Sequence, residues 1–249
     1  MNSLPRYFFG YAVLLAVGAR APALAQSRMS YGVELAFRSG HADRGYLISD
    51  RPVFQPVMWM SGNGADFSAW GNFTLAETTE GAQPKILELE LAREFTSGNI
   101  SIAPAARMWF YHDPVSPYST RSLEGWLKLS YDVGPFRVFT NNSLDVLEYP
   151  GAYFVDVGIE SARELSDRVE IGGTLGAGWA NARFNESWFG AQGSGLNRAS
   201  AQGWLTAYLT SHFYLYPHFE YNHTLNPAVR AVHMRPTYLL VGLSLGAEF

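Results

Sequence analysis

Residues 236–249 read PTYLLVGLSLGAEF. Leu239, Val241, Leu243, Leu245, Ala247 and Phe249 share one parity; Leu240, Gly242, Ser244, Gly246 and Glu248 share the other. A period of two belongs to a β-strand, whose successive side chains point to opposite faces. On a helix the same residues would scatter round the circumference. One face of this strand is apolar throughout, and the other is mostly small or polar.

The same period recurs upstream. Tyr31, Val33, Leu35 and Phe37 alternate with Gly32, Glu34, Ala36 and Arg38. Phe67, Ala69, Gly71, Phe73 and Leu75 alternate with Ser68, Trp70, Asn72 and Thr74. Leu123, Leu127, Leu129, Tyr131 and Val133 alternate with Glu124, Trp126, Lys128, Ser130 and Asp132. Val155, Val157 and Ile159 alternate with Asp156, Gly158 and Glu160. This template predicts about twelve strands, at 29–38, 53–61, 66–76, 86–95, 99–111, 122–133, 136–146, 153–163, 168–182, 199–213, 216–225 and 236–249. Longer polar connections follow the odd-numbered strands. Tight turns follow the even-numbered ones: Asn63-Gly64, Ser97-Gly98, Gly134-Pro135, Ser166-Asp167 and the region Tyr214–Pro217. Asn-Gly is the strongest hairpin signal among them, because both residues tolerate the positive φ of a type I′ turn.

Short turns at one end and long loops at the other are the pattern of an outer-membrane barrel: all-β, antiparallel, up-and-down and transmembrane. An even strand number leaves both termini on the periplasmic side. The apolar faces then meet lipid, and closure removes the sheet edges that hydrocarbon could not satisfy. A lipocalin-like or sandwich fold would have to bury these faces in one core. They are too many for that, and the polar faces hold few of the Lys and Glu residues that a solvated exterior carries.

Composition agrees. Of 249 residues, 16 % are charged and 15 % aromatic, with 24 Gly and no Cys. The lack of Cys excludes a disulfide scaffold, a Cys-based zinc site, a thiol nucleophile and a lipoprotein anchor. The net charge, 18 − 22 = −4, gives no reason to expect nucleic-acid binding. Residues 1–25 read as an export signal, with Arg6, the apolar run Phe8–Gly18 and a small-x-small site at Ala23-Leu24-Ala25. The barrel domain is then 26–249. An uncleaved membrane anchor is the alternative, but the apolar run is short for one.

Two resemblances follow from these residues. Phe249, on an alternating strand, resembles the terminal aromatic of bacterial outer-membrane proteins, although Ala247 stands where such signatures often have Tyr. Arg44-Gly45-Tyr46-Leu47-Ile48-Ser49-Asp50-Arg51-Pro52, followed by Gln55, resembles the early segment of the TorF family of porin-like proteobacterial proteins. Tyr153-Phe154-Val155-Asp156-Val157-Gly158 is similar to that family's mid-chain strand. The resemblance implies a barrel and a pore, with the solute left open.

Strand parity predicts what lines the lumen: Glu34, Arg38, Trp70, Glu88, Glu90, Arg107, Trp109, Glu124, Trp126, Lys128, Asp156, Glu160, Trp204, Tyr208 and Glu220. A two-residue turn at Ser97-Gly98 would set Glu88 opposite Arg107; one at Gly134-Pro135 would set Asp132 opposite Arg137. In that register Glu90 and Glu124 have no basic partner, which argues for a wet lumen. Inward acids outnumber bases, so a pore would mildly prefer cations. Alternatively, carboxylates, Arg and large rings fill the barrel, with the bulky wall packing on the smooth ninth strand of Gly172, Thr174, Gly176, Gly178 and Ala180. A girdle of Phe95, Phe136, Phe213, Tyr214 and Phe249 is expected at the short-turn end.

Catalytic chemistry is less evident. No G-x-S-x-G elbow occurs. His212 and His218 could face one another across Tyr214–Pro217, with Glu220 and His223 near, as a weak metal or catalytic site. The glycines at 172–178 lack the helix that a dinucleotide loop needs, so no cofactor is expected. Loop arginines Arg44, Arg51, Arg121, Arg183, Arg198, Arg230 and Arg235 suit the phosphates of lipopolysaccharide. The expected function is passage of small solutes through a bacterial outer-membrane porin. The alternatives are a filled-lumen scaffold that binds partners, and a lipid-modifying enzyme. Expected partners are outer-membrane lipid, lipopolysaccharide, the barrel-assembly machinery during insertion, and small solutes.

Overall fold

Alternation builds twelve strands, and closure joins the last to the first. In the computed structural model these are β1 (Ser30–Arg38), β2 (Val53–Gly62), β3 (Ala65–Thr74), β4 (Lys85–Arg93), β5 (Ile100–His112) and β6 (Ser119–Val133). They continue as β7 (Phe136–Asp145), β8 (Tyr153–Ser166), β9 (Val169–Ala180), β10 (Gly195–Tyr208), β11 (Phe213–Thr224) and β12 (Thr237–Glu248). Each pairs antiparallel with its neighbours in sequence, and β12 pairs with β1 through Leu245↔Leu35 and Leu243↔Phe37. Described are residues 29–75, 85–112, 119–233 and 235–249, with the backbone of a separate hairpin, Arg6–Gly10 with Val13–Val17. The expected cleavage site at Ala25 lies outside the described residues.

The two faces differ as the sequence period requires. Leu239, Val241, Leu243 and Leu245 are 59, 52, 51 and 46 % exposed, whereas Tyr238, Leu240 and Ser244 between them are buried. Similar exposed rows run down β1, β6 and β8. Exposed apolar surface on that scale is costly in water and favourable in hydrocarbon. Phe95, Phe136, Phe213 and Phe249 stand outward near the turn end, but Tyr214, expected among them, points inward and is buried.

The turns explain which register wins. Asn63 (φ 55°) and Gly64 (φ 73°) form the expected two-residue turn between β2 and β3. Gly134-Pro135 likewise sets Asp132 opposite Arg137. The third turn differs: Ser97 pairs with Ile100, so the turn is Gly98-Asn99 rather than Ser97-Gly98. The register therefore moves by two, placing Arg107 opposite Glu90 and Trp109 opposite Glu88. Ser166 pairs with Val169, making that turn Asp167-Arg168. Between β10 and β11 the turn is 209–212, and Tyr214 to Pro217 lie within β11. A shift of two preserves parity, so inside and outside survive while the partners change.

Inward glycines mark the register. Gly32 faces Trp59, Gly172 faces Trp204 and Gly246 faces Tyr214. A Cβ on Gly172 would lie 2.2 Å from the Trp204 ring, and one on Gly246 2.0 Å from the Tyr214 ring. Each ring lies flat on the neighbouring strand, filling the space a side chain would take.

Three loops carry structure of their own. The β1–β2 loop holds a small hairpin, His41–Asp43 with Tyr46–Ser49. The β9–β10 loop holds α1 (Ala182–Phe189), whose first turn is capped by the Asn181 side chain accepting from Phe184 N. The β11–β12 loop holds α2 (Pro227–Val232), capped by Asn226 with Pro at its start. All three lie at the loop end of the barrel.

Candidate functional site

The predicted lumen residues all lie on the inner face, buried or half-buried. Their partners, however, are set by the tertiary fold. Arg107 Nε lies 3.2 Å from Glu88 Oε1, and its Nη2 lies 2.6 Å from Glu90 Oε2. Its guanidinium stacks 3.9 Å over the Trp126 ring, and Trp126 Nε1 donates to Glu124 Oε2 at 2.8 Å. Arg38 pairs with Glu220 at 2.6 Å, and Asn222 donates to the other oxygen of that carboxylate at 2.6 Å. Arg198 holds Asp156 bidentately, at 3.0 and 2.7 Å. Arg137 holds Asp132 at 2.7 Å. The Tyr214 hydroxyl donates to Glu34 Oε2 at 2.9 Å.

These contacts correct the expectation that Glu90 and Glu124 are unpaired. Glu90 is held by Arg107, and Glu124 by Arg44, which reaches it from the β1–β2 hairpin. Lys128 Nζ, Glu160 Oε2, Arg137 Nη1, Thr174 Oγ1 and Thr206 Oγ1 are buried and have no hydrogen-bond partner among the described residues. A cavity of about 50 Å³, room for a few waters, lies between Glu34, Arg38, Gln55 and Trp70 on one wall and Gln202, Trp204, His218 and Glu220 on the other.

The rings narrow this space. Trp59, Trp70, Ile86, Phe139, Trp204, Tyr214 and Tyr216 form one buried cluster, although they come from β2, β3, β4, β7, β10 and β11. Tyr208 packs on it at 6.2 Å from Tyr214. Trp109 stands nearer the loop end, 4.9 Å from Trp188 of α1.

The β1–β2 hairpin folds into the loop end of the barrel. Arg44 (φ 49°) and Gly45 (φ 85°) form its tip. Arg44 was expected to face lipopolysaccharide, yet its side chain is 6 % exposed and hydrogen-bonds Glu124. Burial works against its charge, but Glu124 and Asp43 outweigh that and hold Arg44 above its ordinary pKa. The Trp126, Phe154, Phe184 and Trp188 rings surround it at 5.4, 5.9, 5.2 and 4.9 Å. Gly45 packs on the Arg198 side chain so tightly that a Cβ would lie 2.7 Å from its Cδ. The hairpin therefore reaches across the lumen, touching β6 on one side and β10 on the other.

Other contacts fix the hairpin's base. Leu47 N donates to His233 Nε2 at 3.0 Å, Tyr46 stacks on Phe189 and His233, and Gln55 links His41 to Asn72. Residues 44–55 and 153–158 meet here, where Arg44 lies over the Phe154 ring. One supplies Arg44, Gly45, Ser49 and Gln55; the other supplies Phe154 and Asp156.

Arg198, also expected in a loop, is an interior residue of β10. A register shift at Gly178/Trp179 turns Asn197 and Arg198 both inward, and Asn197 then bonds Asn185 of α1. The exposed arginines among those expected in loops are Arg51, Arg183, Arg230 and Arg235, with Arg121 near the loop end of β6. The histidines do not converge. His212 lies in the β10–β11 turn, His218 is inside opposite Trp204, and His223 sits beside Thr237 at the far end of β11. Among the described residues no group of three or more His, Asp or Glu could hold a metal ion.

Neither a protein-family model nor a curated protein sequence matches the chain. Among solved structures it is similar to barrels of outer-membrane channels. The NanC porin superposes with a TM-score of 0.53 at 11 % identity, over 88 % of this chain and 98 % of that one. The KdgM porin gives 0.50 at 10 % identity over the same shares, and an outer membrane channel from Pseudomonas putida F1 gives 0.50 at 7 %, over 91 and 97 %. At these identities the likeness establishes the fold: a closed, twelve-stranded antiparallel barrel.

Proposed function

We propose that the chain is an outer-membrane channel for small solutes, narrow and constricted at its loop end by its first loop. The observation that carries this reading is the set of buried polar atoms on the inner wall, Lys128 Nζ, Glu160 Oε2, Thr174 Oγ1 and Thr206 Oγ1, that have no hydrogen-bond partner among the described residues. A dry interior tolerates such groups poorly, because each would forfeit its hydration without a hydrogen bond in return; water in the lumen removes the cost. The porin and channel folds of the similar structures support the same reading, as does the resemblance to the TorF family. The apolar exterior supports residence in a bacterial outer membrane, reached by export and insertion through the barrel-assembly machinery. The exposed arginines 51, 121, 183, 230 and 235 suit contact with lipopolysaccharide phosphate. Inward carboxylates outnumber inward bases, which favours weak cation preference.

Planar-bilayer recording of purified, folded protein tests the proposal. Discrete cation-preferring conductance is the expected result. Current at the level of the bare bilayer would favour a filled barrel acting as an envelope scaffold, the reading that the cross-lumen cluster around Trp59, Phe139 and Trp204 supports.

A further inference from the structure

The walls around Arg44 also contact one another. Phe184 stacks on Trp188 at 5.5 Å and on Phe154 at 5.2 Å, and Trp126 is tied to Glu124 by its own hydrogen bond. The rings come from β6, β8 and α1, three elements remote from the hairpin in sequence. Glu124 is 1 % exposed, and its Oε1 has no hydrogen-bond partner among the described residues. The arrangement is a box of four aromatic rings with a buried carboxylate at one side, the Trp126 ring also carrying Arg107 at 3.9 Å. Such a box selects a cation that is planar, delocalised and weakly hydrated, because the rings supply attraction without replacing a hydration shell. A small alkali ion would lose more water than this box returns. Arg44 meets those requirements, and it arrives on a hairpin tip rather than from the elements that supply the rings.

We propose that this box is a cation-binding site at the loop end of the lumen, that Arg44 closes the channel as its tethered occupant, and that guanidinium-type solutes are the class that takes its place. The inference rests on the channel reading. Arg44 also neutralises Glu124 and Asp43, whose oxygens face its guanidinium. With Arg44 gone, the outer end of the lumen becomes acidic as well as open.

The test uses the full barrel in planar bilayers and in detergent, with Arg44→Ala, and Arg44→Gln as a second variant that keeps most of the tip's bulk. Conductance should rise several-fold over the unaltered protein, with a shift toward cations. Millimolar ethylguanidinium should then reduce the variant's current and change its tryptophan emission, because Trp126 and Trp188 line the box. Sodium at equal strength should do neither, and the unaltered protein should respond far more weakly. Adding Glu124→Gln to Arg44→Ala should abolish the ethylguanidinium response.

If the unaltered protein conducts and neither variant differs from it, the closure is refuted while the channel stands. If neither the unaltered protein nor the folded variants conduct, closure and channel fall together. If conductance rises but ethylguanidinium changes neither current nor emission, Arg44 is a plug and the box is no cation site.

Discussion

Substituting arginine at two points along β12 asks whether the barrel's exterior meets lipid. Leu239 and Leu243 are 59 and 51 % exposed and lie on the same face of β12, which runs Thr237–Glu248. In water the two positions are equivalent, and arginine at either would change stability by no more than about 0.5 kcal/mol. In a bilayer they differ in depth. With a rise of about 3.4 Å per residue and a tilt of about 40°, Leu243 lies roughly 16 Å from the loop end of the strand and Leu239 roughly 5 Å. An apolar band about 25 Å tall then puts Leu243 near the midplane and Leu239 near the interface. Arginine costs about 2–4 kcal/mol at midplane and about 0–1 at the interface. Leu243→Arg should therefore be less stable than Leu239→Arg by about 2 kcal/mol, roughly thirtyfold in the folding equilibrium. The assay is reversible guanidinium unfolding from lipid vesicles, followed by tryptophan emission. Equal, small effects at both positions would refute a lipid-facing exterior.

Other outcomes follow from the interior. Arg107→Ala takes the basic partner from Glu90; in a wet lumen it should cost under about 1 kcal/mol in vesicle unfolding, whereas a dry lumen would make it about 3–5. Gly246→Val forces a side chain into the Tyr214 ring and should destabilise by about 1–3 kcal/mol in the same assay. Deleting Phe249 removes its two backbone hydrogen bonds to Tyr31 and its stacking on that ring, and should lower the yield of heat-modifiable barrel in outer membranes. Burial, with Arg38 adding to it, depresses His41 from an ordinary value near 6.5 to about 3. Its contribution to hairpin stability is therefore fully present above pH 6.5 and is lost as the pH falls toward 3. His41→Gln should flatten that part of the pH profile of hairpin protection in hydrogen exchange.

What the sequence determined by itself is everything that depends on period and parity. The alternation of Leu239 to Phe249, and its echoes at Tyr31, Leu127 and Val155, requires strands whose outer faces are apolar. Alternation is local, so it survives errors in strand ends. Parity therefore put Glu34, Lys128 and Trp204 inside even where the turns were misjudged. Register was less legible, because it hangs on which two residues make each turn. Ser97-Gly98 and Gly98-Asn99 differ by one residue in the chain and by two in the pairing, enough to move Arg107 from Glu88 to Glu90.

The loop end was decided by tertiary structure alone. In sequence Arg44 is a charged residue in a polar loop, and charge in such a place ordinarily faces water. Only the folded barrel brings Glu124 from β6, Phe154 from β8 and the α1 rings to one point. Only there does burying a guanidinium become favourable, because the carboxylate and the aromatic faces together replace the water it leaves. The same holds for Arg198, turned inward by a bulge that no local pattern announces. A period can say which way a side chain points, but the partner that makes burial of a charge tolerable lies eighty residues away in the chain.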